Sequence, residues 1–164
     1  MTSFEECAMT ARRRADAVAF VEGNTKYPDI HGKVMFYQMR DGVIVRAEIS
    51  GLPKGNGRCS EHVFGFHIHS GTSCSGDSTD PFKNAGTHYD RHNCSHPYHA
   101  GDMPPLFSAG GKAFLMFLTN RFDVSEITGK TVIIHSGIDD FTTQPSGNAG
   151  DKIACGVITP TARR

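Results

Sequence analysis

Short apolar runs that alternate with polar residues, separated by turn-forming residues, fill the chain from Ala17 onward. Side chains of a strand alternate between its two faces, so this period of two predicts strands. Ala17 to Glu22 is the first, and Tyr27-Pro28 breaks the chain before Ile30 to Met39. There Val34 and Phe36 share one face, with Lys33 and Met35 opposite. Asp41-Gly42 between two apolar runs is a hairpin signal. In the strand Val43 to Ser50, Val45, Ala47 and Ile49 oppose Ile44, Arg46 and Glu48. Val63 to His69, Ala113 to Thr119, Thr131 to His135 and Ile153 to Ile158 complete the set. Two Gly-, Ser- and Asn-rich stretches interrupt it, one from His69 to Pro105 and one from Ser136 to Asp151; the connection from Asp123 to Gly129 is polar. The pattern predicts an all-β, single-domain, eight-stranded antiparallel Greek-key β-sandwich or barrel with two long functional loops. Residues 1–15 read as an N-terminal tail, with one turn of helix at Glu5 to Arg14, and residues 16–164 as the domain.

Composition agrees with many short strands: 18 Gly, 8 Pro and 38% apolar residues in 164. Seventeen basic side chains balance seventeen acidic ones, so no bulk charge points to nucleic acid or to an anionic membrane. The apolar run Ala113 to Leu118 is too short to span a bilayer. Glu5, Glu6 and the lack of an apolar stretch after Arg12-Arg13-Arg14 do not suit an export signal, which predicts a cytoplasmic location. The five cysteines, Cys7, Cys59, Cys74, Cys94 and Cys155, define no disulfide framework by spacing alone.

Candidate chemistry concentrates between Gly65 and Asp102, which hold six of the nine histidines. His67 and His69 stand as His-Ile-His in an apolar run; on a strand both face one side, about 7 Å apart, and can close on one metal ion. His88, His92, His96, His99 and Asp102 follow on the loop, and such a long loop needs a function. A lone histidine at a strand end, as His135 is, is usually structural. With the others it makes a nitrogen-rich set that suits copper and zinc, the carboxylate favouring zinc.

These residues resemble the copper,zinc superoxide dismutases, bacterial-like branch, over roughly Ala17 to Ile158. The resemblance rests on Gly65-Phe-His-Ile-His69, Gly86-Thr-His-Tyr89, His99-Ala-Gly-Asp-Met-Pro104, Thr131-Val-Ile-Ile-His135 and Gly147-Asn-Ala-Gly150 running into Ala154-Cys-Gly-Val-Ile158. It implies a copper ion held by His67, His69, His88 and His135. It implies a zinc ion held by His88, His99, Asp102 and one further histidine, with His88 bridging both. Asp139 would link a copper histidine to a zinc histidine, and Cys74 and Cys155 would form a disulfide. The implied activity converts two superoxide anions to oxygen and hydrogen peroxide by cycling of the copper, His88 supplying a proton and zinc being structural. The alternative on the same fold is a non-catalytic copper-binding or chaperone protein.

Two departures from the family pattern stand out. The gap from His96 to His99 is shorter than the family's, which leaves two rivals for the further histidine: His96, favoured because it stands eight residues after His88 as the family has it, and His92. Lys152 stands where the family places an arginine that steers and holds the anion. Lysine keeps the charge but loses the planar bidentate donor, which predicts a slower enzyme than its arginine-bearing relatives. Cys59 and Cys94 have no family counterpart and are either a second disulfide or free thiols. Superoxide is the expected partner, with no nucleic acid or membrane, and a homodimer is possible.

Overall fold

The computed structural model describes residues 13–55 and 62–162. Cys7, Cys59 and nearly all of the expected helical turn at Glu5 to Arg14 lie outside them. The strands are β1 (Ala17–Gly23), β2 (His31–Met39), β3 (Gly42–Ser50), β4 (Val63–Phe64), β5 (Phe66–His69), β6 (Leu106–Phe107), β7 (Ala113–Thr119), β8 (Thr131–His135) and β9 (Lys152–Pro160). One helix, α1 (Val124–Ile127), and a 3-10 turn at Lys83–Ala85 add short stretches that the pattern did not announce. No helix among the described residues is long and apolar enough to cross a membrane.

Seven strands form one antiparallel sheet in the order β5-β8-β9-β1-β2-β3-β7, and β4 pairs with β6. β4 and β5 are one stretch bent at Gly65, whose N–H donates to Gly137 O (2.7 Å) and whose carbonyl accepts from His135 N (2.8 Å). A side chain there would strike the Ala149 Cβ at 2.8 Å. The stretch thus pairs with β8 through one half and with β6 through the other, and the sheet curls into a half-barrel.

The concave face carries the core. Val34 and Phe36 on β2 and Val45, Ala47 and Ile49 on β3 are buried there, as the alternation predicts, with Phe64, Phe66, Leu106, Phe122, Ile134 and Ile158. Burial of such side chains contributes roughly 1.5–3 kcal/mol each. Ile44, expected on the outer face, is buried too: it pairs with Tyr37 on one side and Leu118 on the other, and Tyr37 is itself buried. The hairpin also differs from expectation. Met39 pairs with Gly42, so the turn is Arg40-Asp41 and Gly42 already belongs to β3. Its φ of 149° and the 2.4 Å that would separate a Cβ from Thr119 O exclude a side chain.

Candidate metal centre

β5 fixes the floor of the site. All four of its residues are buried, and its antiparallel partner β8 ends at His135 beside it. The long loop then runs back along the free edge of β5. Ser70 N donates to Thr87 O (2.8 Å), Tyr89 N to Ile68 O (2.7 Å) and Ile68 N to Gly101 O (2.9 Å). These bonds place His88 opposite His69 and Asp102 opposite His67. Gly101 is required by this approach, because a Cβ would lie 2.2 Å from Ile68 O. Backbone pairing thus lays the loop against the strand.

Two groups result. The ligand-capable atoms of His67, His69, His88 and His135 lie within 4.8 Å of one another, as do those of His88, His96, His99 and Asp102. His88 belongs to both. His96 is buried in the second group, while His92 is exposed.

The hydrogen bonds around the rings leave the right atoms bare. His69 Nδ1–H donates to Gly86 O (2.8 Å) and His135 Nδ1–H to Gly150 O (3.1 Å). Their Nε2 lone pairs then face each other at 3.2 Å with no hydrogen available between them. His67 Nδ1, His88 Nε2, His96 Nδ1 and His99 Nδ1 are buried without a hydrogen-bond partner. An orphaned buried polar atom costs about 1–3 kcal/mol, and a concentration of them at one place is the arrangement a cation relieves. The residues therefore fit a copper ion in the all-histidine group and a zinc ion in the group that contains a carboxylate.

Asp139 ties the groups together. Its Oδ2 accepts from His67 Nε2 (2.6 Å) and its Oδ1 from His96 Nε2 (2.9 Å). Burial alone would raise its pKa, but the bonds from His67, Phe141 N and His96 outweigh this and hold it below the usual carboxylate range. Gly147 approaches Asp139 with φ 69°, and a Cβ there would sit 2.0 Å from Oδ1 and 2.7 Å from His96 Nε2. Burial keeps His67 and His69 below their ordinary pKa and pushes His135 down to about 3. All three are neutral imidazoles at pH 7, the form that ligates metal.

Two arginine contacts were not legible in the sequence. Arg121 Nη1 donates to Pro97 O (2.8 Å), His99 O (3.3 Å) and Asp102 O (3.2 Å), clamping the loop that carries the second group. Arg91 of the same loop pairs with Glu126 of α1 at 2.7 Å. Cys74 and Cys155 are joined across 81 residues, which binds the 70–86 segment to β9. Cys94 is exposed and free among the described residues. Lys152 Nζ pairs with Asp80 Oδ2 at 2.6 Å and also donates to Phe82 O (3.3 Å). This pair stands in the wall of the open cavity that leads to His69, His88 and His135.

Residues 30–158 match the model of the copper/zinc superoxide dismutase family. The chain belongs to the copper/zinc superoxide dismutase family. Among the superoxide dismutase [Cu-Zn] sequences it resembles, that of Legionella pneumophila is 36% identical over 135 residues, covering 77% of this chain and 76% of the relative. That of Deinococcus radiodurans is 34% identical over 147 residues, covering 79% and 77%. That of Xenopus laevis is 34% identical over 146 residues, covering 79% and 89%. The Cu/Zn superoxide dismutase structure from Brucella abortus superposes with a TM-score of 0.71 at 26% identity, covering 86% of this chain and 98% of that one. As a copper/zinc superoxide dismutase family member, the chain has the half-barrel, the disulfide and two groups that fit copper and zinc.

Proposed function

We propose that this chain is a copper,zinc superoxide dismutase, in which two superoxide anions and two protons give one oxygen and one hydrogen peroxide. The observation that carries the reading is His88: it belongs to both ligand groups, and its buried Nε2 has no hydrogen-bond partner. When bound to His67, His69, His88 and His135, copper would supply the one-electron exchange in both directions, and zinc bound to His88, His96, His99 and Asp102 would supply a fixed positive charge.

The chain's own residues do the rest. His67, His69 and His135 are held neutral and oriented by Asp139, Gly86 O and Gly150 O. His88 Nε2 is the atom that would hold the proton destined for the peroxide product, and Asp102 Oδ1 accepts from Nδ1 (2.7 Å), which orients the ring. His96, His99 and Asp102 are the zinc ligands that keep His88 in place. Lys152 lines the cavity through which the anion arrives.

Metal analysis of the purified protein, paired with a superoxide-consumption assay before and after copper loading, tests the reading. About one copper and one zinc per chain, with activity that follows copper, is expected. Stoichiometric metal without superoxide consumption would leave a copper-binding protein instead. A homodimer and a cytoplasmic location belong to the same proposal. The exposed Phe20, Phe107 and Phe114 on the outer face support the first. Sedimentation tests the dimer and cell fractionation the location.

A further inference from the structure

Lys152, the first residue of β9, lines the cavity that leads to the metal groups, yet its charge is already compensated. The ammonium is bonded to Asp80 Oδ2 at 2.6 Å, with the lysine side chain 16% exposed and the aspartate 37%. Asp80 does not sit there by chance of a loose loop. Its Oδ1 accepts from Phe82 N (3.1 Å), and Asp77 Oδ1 accepts from Thr79 N (2.9 Å) and Asp80 N (3.0 Å), so the turn that presents it is fixed. The Cys74–Cys155 bridge secures the same segment to β9 a few residues from Lys152. Among the described residues that line the cavity, Lys26 and Lys152 face Asp80, Asp90 and Asp151. The lysines are outnumbered, and an approaching anion meets a rim that is not positive.

We propose that Asp80 is the residue that sets the rim charge met by an incoming small anion: by pairing with Lys152 it holds the ammonium at the cavity wall and cancels its field. The proposal rests on the reading that this cavity admits superoxide. A metal pair would add positive charge deep in the cavity, but equally in every rim variant, so a change at Asp80 isolates the rim. In Asp80→Asn the Oδ1 acceptor for Phe82 N is kept, and Lys152 keeps the Phe82 carbonyl. The cation then stays in the wall with its charge uncompensated. Asp80 is thus a positioning and charge-setting residue, and it touches no reacting atom.

The test compares wild type, Asp80→Asn, Asp80→Ser and Asp80→Glu as copper- and zinc-loaded full chains of equal metal content. At an ionic strength near 10 mM, where screening extends to about 30 Å, the two neutral variants are expected to raise kcat/KM for superoxide about two- to five-fold. Their rate should fall more steeply with salt and converge with wild type near 1 M. Asp80→Glu restores the carboxylate and should return the salt slope of wild type. Azide, titrated against the copper-loaded protein by visible absorption, gives the same comparison without turnover and should bind two- to five-fold more tightly to the neutral variants at low salt. Should Asp80→Asn fail to fold, Asp80→Ser carries both readouts. Neutral variants that equal or fall below wild type in kcat/KM and azide affinity at low salt overturn the proposal. A wild type that holds both metals and consumes no superoxide sinks the functional reading alone, because the azide comparison still reports the rim.

Discussion

His69 and His135 point their Nε2 atoms at each other across 3.2 Å, each with its Nδ1–H already spent on a backbone carbonyl. Without a cation this pairing opposes lone pair to lone pair, and protonating either ring puts a charge in a buried place. Burial lowers the pKa of His67, His69 and His135, the last to about 3. In the unfolded chain these groups titrate near 6.5. Below that pH the unfolded state takes up protons that the native state refuses, so stability falls as pH falls from about 6.5 toward 3. Asp139 and Asp102, held below their ordinary values, add a loss of the same sign at the acid end. Urea denaturation of the chelator-stripped protein should therefore give a midpoint that drops between pH 7 and pH 5. A midpoint independent of pH over that range would contradict this account.

His88 serves both groups, and its loss should be felt by both. Replacing His88 with Ala is expected to weaken copper and zinc binding together, each by at least about tenfold. His69→Ala should weaken copper alone, since His69 is absent from the second group. Competition with a chelator, read separately for each metal, distinguishes the two patterns.

Asp139→Asn keeps the size of the side chain but replaces one of the two acceptor oxygens. His67 and His96 cannot then both donate to it, so one ring must turn or change tautomer. A loss of roughly 10- to 100-fold in metal affinity is expected, together with a change in the visible spectrum of the copper-loaded protein. Unchanged affinity for both metals would mean that the rings are held by packing alone.

Arg121 gathers three carbonyls of the loop that bears His96, His99 and Asp102. Arg121→Ala should accelerate zinc loss to a chelator by about tenfold, while Arg121→Lys, which keeps a donor, should lose less. The denaturation midpoint of the zinc-free form should shift far less than the zinc release rate. If both move in proportion, Arg121 supports the fold at large and not the site.

Alternation made β2 and β3 readable, because each has one face on the core, whereas β5 and β8, buried along their whole length, and β7 and β9 were readable as short apolar runs between turn residues. It failed at Ile44, where Tyr37 and Leu118 cover the outer face, a relationship between strands that no local pattern records. Asp41-Gly42 signals the turn one residue late, because Gly42 looks like a turn glycine while its role is a close approach to Thr119. At the site, His-Ile-His and the later histidines were conspicuous by residue type. Choosing His96 over His92 depends on contacts with Asp139 and Gln144, more than forty residues further along the chain. Asp80 and Arg121 left no mark at all, since an aspartate or an arginine in a polar connection looks like any solvated charge.

Gly147 has no chemistry of its own, yet it shows how little slack the centre has. A single methyl at this position would occupy space already taken by the carboxylate that spans the two groups and by the ring of His96. The 136–151 loop cannot gain one carbon atom there without prising the two halves of the centre apart. Absence of a side chain is, at that point, as exacting a requirement as the presence of an imidazole elsewhere.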